Sequence, residues 1–280
     1  MERVGIVGAG QMGAGIAEVC ARAGCRVTLV DLDDAALDRG LATVEASLAK
    51  AVAHDKVTAQ EAAAAQERLS STTDLAALQD VEIVIEAILE DERAKRSLFG
   101  ELDGIVAPGA VFASNTSSIP IVRIATATAR PESVVGMHFF NPAPVMPLVE
   151  VVSSLLTDPA VTDSVTAFAI GLGKHPVQAK DTAGFIVNAL LLPMLVDAVR
   201  MYEAGAASAE DIDAALVMGA NLPMGPLALA DLIGIDTVVA VSEVLHGEFA
   251  DPRYAPPPLL RRMVDAGHLG RKSGRGFYTY

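Results

Sequence analysis

The chain opens on the stretch Val4-Gly-Ile-Val-Gly-Ala-Gly-Gln-Met-Gly13, in which an apolar run leads into the spacing GxGxxG. Residues 14–23 continue with helical spacing, and a second apolar run, residues 27–30, ends at Asp31. This order of strand, glycine turn, helix, strand and acid is typical of a dinucleotide-binding βαβ unit. Asp31 is predicted to bind the adenosine ribose and to repel a 2′-phosphate, which favours NAD over NADP.

Each glycine of the turn is predicted to have its own task. Gly8 permits a tight turn, Gly10 lets the backbone approach a pyrophosphate, and Gly13 allows the helix to pack closely on the strand. Gln11 and Met12 begin a helix whose N-terminus would face the phosphates. These five residues are therefore predicted to bind the cofactor.

Apolar runs alternate with helical patterns through the next part of the chain, which predicts a doubly wound α/β sheet of the Rossmann type. A helical pair is inserted after the second strand, over residues 33–52 and 58–69. Later helices are predicted at residues 91–106 and 162–172. Further strands are predicted at residues 81–85, 111–114, 134–140, 148–152 and 176–179.

Residues 1–183 are predicted to form an NAD-binding domain, and residues 184–280 a smaller all-α domain for substrate binding and dimerisation. The later part shows only helical patterns. Pro193 is expected to kink the first of these helices, whose apolar character extends around its surface. A homodimer is the simplest assembly that would cover such a surface. The predicted helices span residues 185–203, 209–216, 227–245 and 259–266.

Composition narrows the possible partners. A net charge of −14 argues against nucleic acid and anionic membranes as ligands. The most apolar window, residues 185–199, is too short and too polar to span a bilayer. Cys20 and Cys25 are predicted to be packing residues, which fits a reducing cytoplasm, and no His or Cys cluster suggests a metal site. The first residues carry no signal-peptide pattern, so a cytoplasmic location is expected.

The stretch His138-Phe-Phe-Asn-Pro-Ala-Pro-Val-Met-Pro-Leu-Val-Glu150 predicts two strands around a proline-rich turn. If the turn is centred near Pro144, His138 and Glu150 are equally distant from it and become cross-strand neighbours. A carboxylate in that position would fix the imidazole tautomer and stabilise the imidazolium. The alternative is a histidine that is hydrogen-bonded in the core, and the pair alone does not decide between them.

Several motifs in one order resemble those of the L-3-hydroxyacyl-CoA dehydrogenases, and within them the short 3-hydroxybutyryl-CoA dehydrogenases. They are the glycine turn, Ser114-Asn-Thr-Ser-Ser118, His138-Phe-Phe-Asn-Pro142 and Leu148-Val-Glu150. The resemblance implies an NAD-dependent interconversion of an (S)-3-hydroxyacyl-CoA and a 3-ketoacyl-CoA, with 3-hydroxybutyryl-CoA and acetoacetyl-CoA as the expected pair. His138 would be the general acid or base, and Glu150 would orient it.

The resemblance also implies roles for residues outside that pair. Ser117 and Asn188 would position the substrate oxygen, and Ser117 and Asn115 would also contact the cofactor. Seen alone, Ser117 could be an ordinary turn hydroxyl, and Asn188 could be bonded within a helix interface. Glu90 and Lys95 would lie near the nicotinamide and its ribose, although Glu90 could equally be a charge at a helix start.

An acidic protein must hold the CoA phosphates with local cations, and the resemblance implies Lys50 and Lys56 as the candidates, since they lie on and just after the first inserted helix, where family members place a lysine toward CoA. Solvated surface lysines are the alternative. Two other functions also stay open at this point: a related hydroxyacid dehydrogenase that acts on a sugar acid, and a nucleotide-binding module without catalysis. Phe139-Phe140 and the two lysines favour the acyl-CoA form.

Overall fold

Apolar runs in the first part of the chain become the strands of one eight-stranded sheet. The computed structural model describes residues 1–280, and the chain divides into two compact units, Met1–Thr182 and Ala183–Tyr280. All eight strands belong to the first unit: β1 (Arg3–Val7), β2 (Arg26–Val30), β3 (Leu69–Thr72), β4 (Ile83–Glu86), β5 (Val111–Ser114), β6 (Val134–Phe139), β7 (Leu148–Ser153) and β8 (His175–Lys180).

The strands lie in the order β3-β2-β1-β4-β5-β6-β7-β8. The first six pair in parallel, β7 runs antiparallel to β6, and β8 is parallel to β7. The chain moves outward from β1 to β3 and then returns to β4 on the other side of β1. Such a switch point opens a crevice at the carboxyl ends of the strands, where doubly wound sheets bind ligands. The predicted Rossmann-type fold is confirmed.

Six helices accompany the sheet, and four of them begin at a residue whose side chain caps the helix. The side chain of Asp33 accepts the Ala36 N–H at the start of α2, and Thr58 and Glu61 form a reciprocal capping box at the start of α3. These helices are α1 (Gln11–Arg22), α2 (Asp34–Ala53), α3 (Ala59–Glu67), α4 (Glu92–Ile105), α5 (Ile121–Ala125) and α6 (Pro159–Gly171).

The prediction of a helix over residues 58–69 was wrong at its end. The helix stops at Glu67, and Leu69–Thr72 forms the edge strand β3, which pairs in parallel with β2. Its four residues are mostly polar and carry no strand pattern of their own. Hydrogen bonds to β2, a contact distant in sequence, therefore decide the conformation of this segment.

The second unit contains only helices of regular structure, as predicted, but there are five of them where four were expected. Residues 227–245 are interrupted at Gly234, whose φ of +103° is incompatible with a continuing helix. One helix therefore ends at Ile233, and the next begins at Ile235. The five helices are α7 (Val187–Glu203), α8 (Ala209–Ala220), α9 (Pro226–Ile233), α10 (Ile235–Phe249) and α11 (Pro258–Asp265).

Two buried aspartates fasten the C-terminal segment to this helical unit. Asp231, which is fully buried, accepts the Phe277 and Tyr278 N–H groups and the Tyr280 hydroxyl. Asp213 accepts the Tyr278 hydroxyl at 2.8 Å. Burial and this hydrogen bond raise the pKa of Tyr278, so the phenol stays a donor. The final residues are thus part of the unit's folded structure.

The two cysteines and the apolar helices were also singled out from composition. Cys20 and Cys25 are both buried and unbonded to each other, which confirms their packing role. Among the helices, none combines the length and apolar character needed to cross a bilayer.

Candidate active site

The glycine turn after β1 has the geometry that its sequence predicts. Gly8 has a φ of +104°, and a Cβ there would lie 2.5 Å from the carbonyl oxygen of Ala87. A Cβ on Gly13 would lie 1.7 Å from the carbonyl oxygen of Gly8, so only glycine allows α1 to approach the turn. A Cβ on Gly10 would meet nothing within 4 Å. The tight turn and the close helix packing are confirmed, and the space in front of Gly10 suits an approaching ligand.

Asp31 lies at the end of β2, beside this turn. Its two carboxylate oxygens accept the Ala9 and Leu32 N–H groups, each at 2.6 Å. No side chain caps the start of α1, and the residues at this start line a cavity of about 550 Å³. The cavity is lined by Ala9, Gly10, Gln11, Asp31, Ala36, Arg39 and Thr43. A helix N-terminus next to a carboxylate fits the phosphates and ribose of a dinucleotide.

Arg39 is a residue of this cavity that the sequence analysis missed. It is exposed on α2 and lines the same cavity as Asp31. An arginine near this position is the group that accommodates a 2′-phosphate in NADP-binding proteins. The sequence offered little evidence for Arg39, because a single arginine on a predicted helix cannot be told from an ordinary surface arginine.

His138 and Glu150 face each other across the β6–β7 pair, as predicted from the position of the turn. His138 Nδ1 lies 2.8 Å from Glu150 Oε2. Both residues are buried, with 6% and 1% of their surface exposed. Because a carboxylate only accepts, Nδ1 carries the proton of a neutral ring, which makes Nε2 the nitrogen that can take up a proton. This is the arrangement of an oriented general acid or base.

Asn115 and Lys174 support the hairpin that carries this pair. Asn115 Oδ1 accepts the Phe139 N–H at 2.8 Å, next to His138. Lys174 Nζ donates to two carbonyl oxygens of the proline-rich turn, those of Ala143 at 2.6 Å and Met146 at 2.9 Å. Burial and the charge of nearby Arg22 lower the pKa of Lys174. The cofactor contact of Asn115 stays a prediction, and the structure adds a role in positioning the histidine strand.

Glu90 organises the segment Ser114–Ser118, which follows β5. One of its oxygens, Oε1, accepts the Thr116 hydroxyl at 2.6 Å, the Ser117 N–H at 2.9 Å and the Ser117 hydroxyl at 3.2 Å. Burial would raise the pKa of Glu90, but the Lys95 ammonium and these hydrogen bonds outweigh it and lower the pKa. Glu90 is therefore an anion at neutral pH, and it fixes the position of Ser117.

Lys95 is paired with Glu90 and is only 1% exposed. Its ammonium is 2.6 Å from Glu86 Oε1 and 3.2 Å from Glu90 Oε2. The predicted contact with the nicotinamide ribose stays a prediction. Glu86 is a second residue that the sequence analysis missed, although an acid at the carboxyl end of an apolar strand was visible in the sequence.

Three further predicted residues, Asn188, Lys50 and Lys56, are distant in sequence from these groups. Asn188 is partly buried in the first turn of α7, in the second unit. Lys50 lies in the last turn of α2, and Lys56 follows that helix, with both lysines exposed. The structure therefore places Ser117 with Glu90 and Lys95, and His138 with Glu150. Roles for Asn188, Lys50 and Lys56 stay predictions.

A Rossmann-type sheet with a dinucleotide-binding turn and a buried His–Glu pair defines a nucleotide-dependent oxidoreductase. Residues 3–182 match the model of the 3-hydroxyacyl-CoA dehydrogenase NAD-binding domain, and residues 184–280 match the model of the 3-hydroxyacyl-CoA dehydrogenase C-terminal domain. The chain belongs to the 3-hydroxyacyl-CoA dehydrogenase family.

Individual relatives agree with this assignment over at least 91% of their own length. A 3-hydroxybutyryl-CoA dehydrogenase of Mycobacterium tuberculosis is 54% identical over 100% of this chain and 99% of its own. The human mitochondrial hydroxyacyl-coenzyme A dehydrogenase is 43% identical over 100% of this chain and 91% of its own. The crystal structure of (S)-3-hydroxybutyryl-CoA dehydrogenase from Ralstonia eutropha, 48% identical, superposes with a TM-score of 0.96 over 100% of this chain and 99% of that one.

These results confirm the predicted family and the dependence on NAD. The protein is an enzyme of the NAD-dependent 3-hydroxyacyl-CoA dehydrogenase type. They favour this assignment over a sugar-acid dehydrogenase or a nucleotide-binding module without catalysis.

Proposed function

We propose that the enzyme interconverts (S)-3-hydroxybutyryl-CoA and acetoacetyl-CoA, with His138 as general acid and base and Glu150 as the residue that orients it. The observation that carries this proposal is the 2.8 Å contact between His138 Nδ1 and the buried carboxylate of Glu150. Relatives that bear the name 3-hydroxybutyryl-CoA dehydrogenase, at 45% to 54% identity, support the choice of a short acyl chain.

In the oxidation direction, His138 Nε2 takes the proton of the substrate's 3-hydroxyl group. NAD, held by the glycine turn and Asp31, would supply the hydride acceptor for carbon 3 when bound. The imidazolium that forms lies against the Glu150 carboxylate, which offsets its new charge in a buried site. In the reduction direction, the same nitrogen returns the proton to the carbonyl oxygen.

Substrate positioning is assigned to Ser117 and Asn188, as the family resemblance implies. Support for Ser117 comes from its bonds to Glu90, which hold its backbone and hydroxyl in place after β5. A fixed hydroxyl loses little freedom when it binds the substrate's 3-oxygen, so it contributes more to orientation than a mobile one.

Lys50 and Lys56 are proposed to bind the phosphates of CoA. The chain carries 35 acidic and 21 basic side chains, so an anionic ligand requires local cations. Both lysines are exposed and make no ion pair within 4.0 Å, which keeps their ammonium groups available.

A cytoplasmic homodimer is proposed as the working form, with no nucleic acid or membrane partner. Large apolar side chains are exposed on the second unit, including Leu190 on α7 and Met218 on α8, at 73% and 80%. A second copy of the chain would bury them. Sedimentation equilibrium tests this proposal, because a monomer at micromolar concentration would contradict it.

The activity is tested by mixing the purified protein with NADH and acetoacetyl-CoA and following the decrease in NADH absorbance. NADH oxidation with this thioester and none with free acetoacetate is the expected result. A series of 3-ketoacyl-CoA thioesters of increasing length should show kcat/KM highest for the four-carbon chain. Turnover of a free hydroxyacid without turnover of the thioester would overturn the proposal.

A further inference from the structure

Three ionisable residues at the carboxyl end of β4 form a buried network, the Glu86 cluster, which consists of Glu86, Glu90 and Lys95. Glu86 is fully buried. Its Oε1 accepts the Lys95 ammonium at 2.6 Å and the Ile88 N–H at 2.8 Å, and its Oε2 accepts the Ser114 hydroxyl at 2.6 Å. Three donors therefore face this one carboxyl group.

The cluster carries a net negative charge. Lys95 supplies the one ammonium group, which contacts both Glu86 and Glu90. Two carboxylates against one ammonium leave a charge of −1 in a largely buried site. The Glu86–Lys95 pair alone would be neutral, and an amide oxygen in place of Glu90 Oε1 would accept the same hydrogen bonds from Thr116 and Ser117. Holding the loop in place therefore does not require the second negative charge.

The position of the cluster relates this charge to the cofactor. The switch point lies between β1 and β4, and Asp31 follows β2 on one side of it. A dinucleotide whose adenosine half lies at Asp31 and whose pyrophosphate lies at the start of α1 has its nicotinamide half on the β4 side. Glu86 ends β4 and Glu90 follows it. The Glu86 cluster thus belongs to the nicotinamide side of the site.

We propose that the Glu86 cluster sets the relative affinity of the enzyme for the oxidised and reduced forms of the cofactor. The oxidised nicotinamide ring carries a positive charge and the reduced ring is neutral, so a fixed negative charge stabilises the oxidised form alone. At an effective dielectric of about 40, between the values for a protein surface and for bulk water, one charge about 6–8 Å away changes an affinity by about fivefold to tenfold. This inference rests on the proposed orientation of NAD in the site.

Binding measurements on charge-neutralised variants test the proposal without using activity. Kd for NADH is measured by its fluorescence, and Kd for NAD⁺ by displacement of NADH. Glu86→Gln and Glu90→Gln should each raise the ratio of Kd for NAD⁺ to Kd for NADH by about fivefold to tenfold. Each of these substitutions removes a negative charge and leaves the shape of the side chain nearly unchanged, because glutamine and glutamate have almost the same shape.

Two matched controls separate charge from structure. Glu92→Gln removes a carboxylate from the same helix, α4, but this side chain is 41% exposed and paired with Arg123. Ser114→Ala removes a hydrogen bond to Glu86 without changing any charge. Both controls should leave the ratio of the two Kd values within about twofold of the wild-type ratio, since the Glu92 carboxylate lies outside the cluster and is paired with Arg123, and Ser114 carries no charge.

A purely structural role for the cluster predicts a different result, in which both forms bind more weakly in proportion and their ratio is unchanged. That result in both glutamine variants overturns the proposal. If the buried Glu86→Gln variant does not fold, Glu90→Gln decides alone, because the Glu90 side chain is 38% exposed. If the wild-type protein binds neither NAD⁺ nor NADH, the proposed placement of NAD is wrong and this inference fails with it. That outcome is distinguishable from binding with an unchanged ratio of the two Kd values.

Discussion

The two sides of the switch point hold their polar groups in different ways. On the β2 side, Asp31 is partly buried and Arg39 is exposed, and the ligand-facing surface is mainly the backbone of the glycine turn. On the side of β4 to β7, Lys95, His138 and Glu150 are all less than a tenth exposed. Substitutions on the first side should change ligand preference at little cost in stability. Substitutions on the side of β4 to β7 leave a buried group without its partner, so they should lower both the stability of the protein and its catalytic rate.

The largest effect is expected from His138→Ala. Removal of the general acid should lower kcat by roughly 10² to 10⁴, while Kd for NADH changes by less than about twofold. Stopped-flow NADH oxidation with acetoacetyl-CoA measures the first quantity, and fluorescence titration measures the second. Full retained turnover would remove His138 from the mechanism.

Lys95→Met tests the buried side through stability. This change leaves Glu86 and Glu90 without their shared ammonium, so the free energy of unfolding should fall by about 3–5 kcal/mol. Urea denaturation followed by circular dichroism gives the value. The exposed Lys50→Met serves as the matched control and should stay within about 0.5 kcal/mol of wild type. Equal losses of stability in the two variants would contradict the claim that buried polar groups cost more to replace than exposed ones.

Asp31→Ala tests the adenosine side through cofactor choice. Loss of the carboxylate should weaken NADH binding by about tenfold and improve NADPH binding, because Arg39 is then the dominant charge in the cavity. The double variant with Arg39→Gln should lose the gain for NADPH. An unchanged ratio of the two Kd values would show that Asp31 does not select the cofactor.

The smallest effect is expected from Lys50→Ala. KM for acetoacetyl-CoA should rise by about twofold to fivefold at low salt, and the difference from wild type should shrink as salt is raised, since exposed charges are screened. Steady-state kinetics at two ionic strengths gives both values. An effect that does not depend on salt would make Lys50 unrelated to phosphate binding.

Much of the fold and part of the site could be predicted because their signals are local. The run from β1 to Asp31 has its apolar residues, glycines and acid in one short stretch, and the prolines around Pro144 set the register that pairs His138 with Glu150. In both cases the residues that determine the structure are neighbours in sequence, so their physical constraints can be read together.

The features that could not be predicted depend on contacts between distant segments. Leu69–Thr72 becomes a strand only because β2 offers it hydrogen bonds, and Gly234 interrupts a pattern that is otherwise continuous for a helix. Glu86 was missed for a similar reason. Its importance comes from Lys95 and Ser114, which reach it only once β4, α4 and β5 are assembled.

Glu150→Gln tests the central claim most directly, because it removes the charge beside His138 and nearly keeps the shape. An amide oxygen can still accept the Nδ1–H, so the ring should keep its orientation, but the imidazolium loses its counter-charge. Stopped-flow reduction of acetoacetyl-CoA at saturating NADH should show kcat lowered by about 10² or more with Kd for NADH unchanged. A kcat equal to that of the wild type would contradict the assignment of His138 and Glu150 as the acid–base pair.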